Sequence, residues 1–108
     1  MSREITYPIT KHYLVVMNGG FGWIQLRSGN RDAGYIYFES DSNDKEDRFG
    51  GPDDHPYIVT HLPMSMWDTV LNTLRSEQGV FIRGFDNGDG NISAFLYTSG
   101  DGAFFEGG

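Results

Sequence analysis

The sequence predicts an α+β domain: a mainly antiparallel β-sheet, built of an N-terminal meander and a C-terminal hairpin, with one amphipathic helix packed on one face. Three observations lead there. Apolar residues recur with a period of two through the first forty residues and again after residue 79, one stretch near residue 70 has the period of a helix, and Gly, Asn and Asp cluster between these segments. A chain of 108 residues is the size of one hydrophobic core, so a single domain is expected over residues 1–98.

In the first stretch, Ile5, Tyr7 and Ile9 alternate with polar positions, but Pro8 cannot donate a ladder hydrogen bond, which places this stretch at a sheet edge or outside the sheet. Tyr13 to Met17, Phe21 to Leu26 and Tyr35 to Phe38 follow with the same alternation. Between them, Asn18-Gly19-Gly20 and Ser28 to Asp32 supply the turn chemistry that makes the segment a meander. Residues 40–56 hold six acids and two prolines and read as a long surface loop.

Tyr57 to Thr60 forms a further strand leading into the helix. Ser65, with Asp68 three residues on, has the form of a capping box, and Trp67, Val70, Leu71 and Leu74 make one apolar stripe at i, i+3, i+4 and i+7. Gly79 supplies the stop. Val80 to Phe85 and Ile92 to Tyr97, joined by the turn-forming run Asp86 to Asn91, have the signature of a hairpin. Residues 99–108, rich in glycine, read as a flexible tail.

Eight Phe, six Tyr and two Trp give ample material for a core. Cysteine is absent, which rules out disulfides, zinc–thiolate sites and thiol nucleophiles together. The net charge of −7 is unevenly placed: residues 40–56 sum to −4, and the four acids after Arg83 contribute another −4 with no base among them. A phosphate backbone requires clustered Lys and Arg, so direct nucleic-acid binding is not expected. With no apolar run of the length of a membrane span and no apolar leader after Met1, a membrane partner is not expected and a cytoplasmic location is the default.

Several motifs have to be weighed against plainer readings. Asn87 to Ile92 resembles the middle of an EF-hand calcium loop, but Phe85 and Leu96 stand where the first and last ligands belong, so a hairpin turn is the better reading. The run Asn18 to Gly22 is glycine-rich, yet strand-like residues follow it where a phosphate cradle needs a helix. The terminal Gly107-Gly108 matches the diglycine end of ubiquitin-like modifiers, but the order of strands and helix differs from that fold. His12, His55 and His61 have the pKa range for proton transfer, but no nucleophile elbow, zinc-protease helix or P-loop accompanies them.

No cofactor is implied. The leading functional expectation is a non-enzymatic, protein-binding domain of adaptor or inhibitor type, which uses exposed aromatics beside an acidic rim. Its candidate binding residues are Trp23, Tyr35, Tyr37, Asp53, Asp54 and His61, and its partner is expected to be a protein, basic in character. The alternative is a small-molecule-binding domain or small hydrolase, with a pocket between helix and sheet to which His61 and Asp68 contribute. Phe104 and Phe105 add apolar surface near the C-terminus that a second copy could cover, which makes a homodimer an expectation too.

Overall fold

The structure, a computed structural model, describes residues 3–17, 21–39, 47–76, 79–86, 92–98 and 104–106. Among the described residues nine strands fall into two sheets. In chain order they are β1 (Arg3–Pro8), β2 (Lys11–Met17), β3 (Phe21–Ser28), β4 (Arg31–Glu39), β5 (Arg48–Gly50), β6 (Tyr57–Pro63), β7 (Val80–Asp86), β8 (Ile92–Thr98) and β9 (Phe104–Glu106). One sheet has the order β1-β7-β8-β9 and is antiparallel throughout; the other has the order β2-β3-β4-β6-β5, with β4 and β6 parallel and the remaining neighbours antiparallel. Helix α1 (Trp67–Ser76) follows β6 after a 3-10 turn at Met64–Met66.

The chain passes from one sheet to the other in two residues. The Ile9 amide donates to the Val80 carbonyl of β7 at 2.8 Å, and the Thr10 amide donates to the Arg27 carbonyl of β3, also at 2.8 Å. Period-two patterning then decides the inside. Ile24, Leu26, Ile36, Phe38, Ile58 and Leu62 from the five-stranded sheet meet Val80, Ile82, Ala94 and Leu96 from the other, and all are buried. The helix adds Val70 to this core, and the Trp67 ring stands edge-on to Phe38 with centroids 4.9 Å apart. The architecture is therefore α+β with the helix packed on a sheet. A ten-residue helix is marginal alone, and burial of its apolar stripe is what sustains it.

At two crowded positions facing the core the sequence has glycine. A Cβ on Gly34 would lie 2.6 Å from the Ile58 carbonyl oxygen and 2.8 Å from Ile82 Cδ1. One on Gly84 would lie 2.5 Å from Phe49 Cε1.

The structure corrects the sequence reading at several points. The sheet is two sheets, because the Ile9–Thr10 corner carries β1 away from the meander formed by β2, β3 and β4. The stretch Arg48–Gly50, expected within a surface loop, forms β5 on the far side of β6. Ser65 is not a helix cap: it lies within the 3-10 turn, whose N-cap is Pro63 with no side-chain bond. Phe104–Glu106, expected in a flexible tail, pairs with β8 as β9. Pro8 closes β1 at a sheet edge, as its missing donor requires. The turn at residues 18–20, the acidic run 40–46, the EF-hand-like run 87–91 and the terminal glycines lie outside the described residues. Among the described residues no helix is long and apolar enough to cross a membrane.

Gly34→Ala tests the crowding of β4 against β6, its neighbour in the same sheet, and against Ile82 of the other sheet. The added methyl must push against a main-chain oxygen that cannot step aside, so unfolding free energy should fall by about 1–3 kcal/mol. Urea denaturation measures it, and an unchanged midpoint would show that β4 has room for a side chain at position 34.

Candidate functional site

Burial of one face of the five-stranded sheet leaves its other face outward, and alternation dictates which side chains lie there. From β3 they are Trp23 and Gln25, from β4 Tyr35 and Tyr37, and from β6 Tyr57 and His61, with Val59 in phase with them but buried. At its two margins β2 contributes Lys11, Tyr13 and Val15, and β5 contributes Arg48.

The register aligns the rings across strands. Trp23 is opposite Tyr37, and Tyr37 opposite His61. Their centroids are 5.8 and 5.5 Å apart, and the Tyr37 and His61 planes are stacked at 22°. Along the strand Tyr35 lies 6.4 Å from Tyr37, and it meets Tyr57 edge-on at 5.0 Å. Five rings thus form one continuous platform, each half-buried by its neighbours.

A polar cluster holds the end of the platform nearest the β3–β4 turn. Asp32 accepts from Gln25 Nε2 at 2.7 Å and from Arg27 at 2.8 Å through one oxygen, and from the Tyr35 hydroxyl at 3.2 Å through the other. Arg27 also donates to the Asn30 carbonyl. Burial, and then the Asp32 carboxylate, raise the Tyr35 pKa, so this phenol stays protonated and acts as a donor. Beside this cluster opens a cleft of about 410 Å³ lined by Arg27, Arg31, Asp32, Asp54, His55 and Tyr57. His55 is held by its amide, which donates to the Pro52 carbonyl, and by its ring, 4.8 Å from Tyr7.

Of the six residues selected from sequence, Trp23, Tyr35, Tyr37 and His61 come together on this face. Asp54 lies at the cleft beyond it. Asp53 is exposed, and its main-chain carbonyl accepts from Arg3 of the other sheet. His61 and Asp68 do not share a site: His61 turns to Tyr37 on the outer face, whereas the helix packs on the inner one. Sequence reasoning missed Tyr57, although it is in phase with His61 four residues on. It also missed the Asp32 cluster, for which no sequence signal exists, because the β-bulge at Leu26/Arg27 is what brings Arg27 opposite Asp32.

Beneath the platform lies Asp47, a carboxylate only 7% exposed. It accepts from the Thr60 hydroxyl at 2.8 Å, from the Ala94 amide at 3.0 Å and from the His61 amide. Burial raises its pKa, and these donors offset the rise only in part. Among the described residues no group of three or more His, Asp or Glu side chains converges as a metal ion would require. Comparison with protein-family models, with curated proteins and with solved structures finds no match to this chain.

A folded-state pKa above the unfolded one means that the native state holds the Asp47 proton more tightly. Its contribution to stability is therefore largest below pH 4 and declines as pH rises from about 4 through the raised value. Asp47→Asn cannot titrate, so its stability relative to wild type should rise over that interval and then level off; chemical denaturation at a series of pH values measures it. A relative stability that falls instead would contradict the burial penalty. Asp47→Ala strands three donors and should cost about 1–3 kcal/mol at any pH in the range.

Proposed function

We propose that this chain is a non-enzymatic protein-binding domain whose recognition surface is the outer face of the five-stranded sheet. One observation carries the proposal: Trp23, Tyr35, Tyr37, Tyr57 and His61 form a single ring platform on a sheet, each ring partly exposed. Tyr and Trp offer large, stiff contact area with a polar tip, and for that reason they dominate the binding energy of protein interfaces. Polar groups flank the rings as an interface rim requires: the Gln25–Arg27–Asp32 cluster at one end, Arg48 at one margin and Lys11 at the other.

The partner is a protein of net basic character. The chain's −7 field draws such a partner in, and Arg27 on the platform is neutralised by Asp32 at 2.8 Å, which leaves Lys11 and Arg48 as the local positive charges at the margins. The cleft beside Tyr57 sets Asp32 and Asp54 against Arg27 and Arg31, so the draw on a basic partner comes from the chain's net charge and not from the cleft. A nucleic-acid strand, which also stacks on aromatic platforms, is disfavoured by the same field. Self-association belongs to this reading as well, since a dimer would present two platforms to one partner.

The test is retention of a partner from native extract, followed by titration of the isolated partner. Trp23→Ala and Tyr37→Ala should each weaken binding by at least about tenfold, with the melting temperature followed to exclude unfolding. Converting Asp53 and Asp54 to Lys should slow association several-fold at low salt and have little effect at high salt, where exposed charges are screened. Unchanged affinity in both ring variants would remove the platform from the interface.

A further inference from the structure

Two sheets have four edges, and three of them are blunted. β5 and β9 are three residues long, and β1 carries Arg3, Glu4 and Pro8. Short strands, charge and proline are the usual means of keeping an edge from pairing with another chain. β2 has none of these beyond Lys11 at its start. It is seven residues long, pairs among the described residues only with β3, and runs Lys11-His12-Tyr13-Leu14-Val15-Val16-Met17. It is also apolar on both faces, with Tyr13 50%, Leu14 39% and Val16 73% exposed.

We infer that β2 is a self-pairing edge, where a second copy of this chain adds its own β2 antiparallel across a two-fold axis. The strand's own sequence favours a second copy over an unrelated strand. Pairing centred on Leu14 sets Leu14 against its counterpart, Tyr13 against the second copy's Val15, and His12 against the second copy's Val16. Aromatic with β-branched is a favourable cross-strand pair, and the lysines fall at opposite ends, so that like charges do not meet. Burial, and then Arg75, lower the His12 pKa, so the ring is neutral at pH 7 and lies against valine at little cost.

The two-fold axis stands normal to the sheet, which fixes the consequence. The five-stranded sheets join into one of ten strands, and both ring platforms face the same way. The pairing is a matter of backbone edges and does not rest on the platforms binding a partner. One seven-residue edge buries less than the roughly 800 Å² per subunit of a standard interface, so the dimer is of modest affinity.

Sedimentation equilibrium from about 10 µM to about 1 mM reads the result, since a dimer of modest affinity dissociates within that range. The mass should rise toward twice that of the monomer. Val16→Lys, at an exposed position, would set an ammonium against the second copy's His12 in place of an apolar contact and should raise the dissociation constant by more than about tenfold. Tyr37→Ala should dimerise as wild type does, which separates this inference from the ring platform. Amide exchange at those positions from Tyr13 to Val16 whose N–H points away from β3 should slow as concentration increases, a readout that needs no variant. A wild-type protein that stays monomeric throughout, or a Val16→Lys variant that dimerises equally well, would overturn the inference.

Discussion

The buried carboxylate of Asp47 is the constraint on which the rest of the structure depends. It immediately precedes β5 and binds both sheets at once, through Thr60 and the His61 amide on β6 and through the Ala94 amide on β8. A carboxylate out of water is tolerated only where donors surround it, and here the donors come from strands far apart in the chain. Asp47 and the Ile9–Thr10 corner fasten the two sheets together at separate places. With the inner faces fixed on each other, and the helix filling the space beside Phe38, the other face of the five-stranded sheet can only point outward.

The two outer faces differ in chemistry. On the four-stranded sheet Phe81 stacks on Tyr97 at 5.5 Å, and Arg83 is paired with Glu4 at 2.7 Å. Its aromatics are mainly phenylalanine, whose rings offer no hydrogen bond. On the five-stranded sheet every ring of the platform carries an N–H, N or O–H, and Asp32 organises the polar end through three donors. Recognition of another protein needs apolar area and directional contacts together, and on the second face every ring supplies both.

Much of the fold was legible in the sequence because a period of two or of 3.6 is a local property. The strands from Tyr13 to Phe38, the hairpin after Gly79 and the stripe at Trp67, Val70, Leu71 and Leu74 all follow from it. Four of the six candidate residues were placed on one face for the same reason: Tyr35 and Tyr37 are in phase, and each strand in turn faces its neighbour. What was not legible depends on distant parts of the chain. Asp47 resembles the other acids of its segment and is distinguished only by Thr60 and Ala94. β5 is three residues long and has no period to read. The turn of β1 into a second sheet is decided by main-chain bonds at Ile9 and Thr10, which no side chain announces.

The central claim is that the ring platform is where a partner lands, and a photoreactive phenylalanine analogue in place of Tyr37 tests it most directly. Irradiation in native extract should give a discrete adduct with one protein, while the same analogue in place of Asn72, on the exposed side of the helix, should not give that adduct. The same adduct from both positions, or none from Tyr37, would contradict the account.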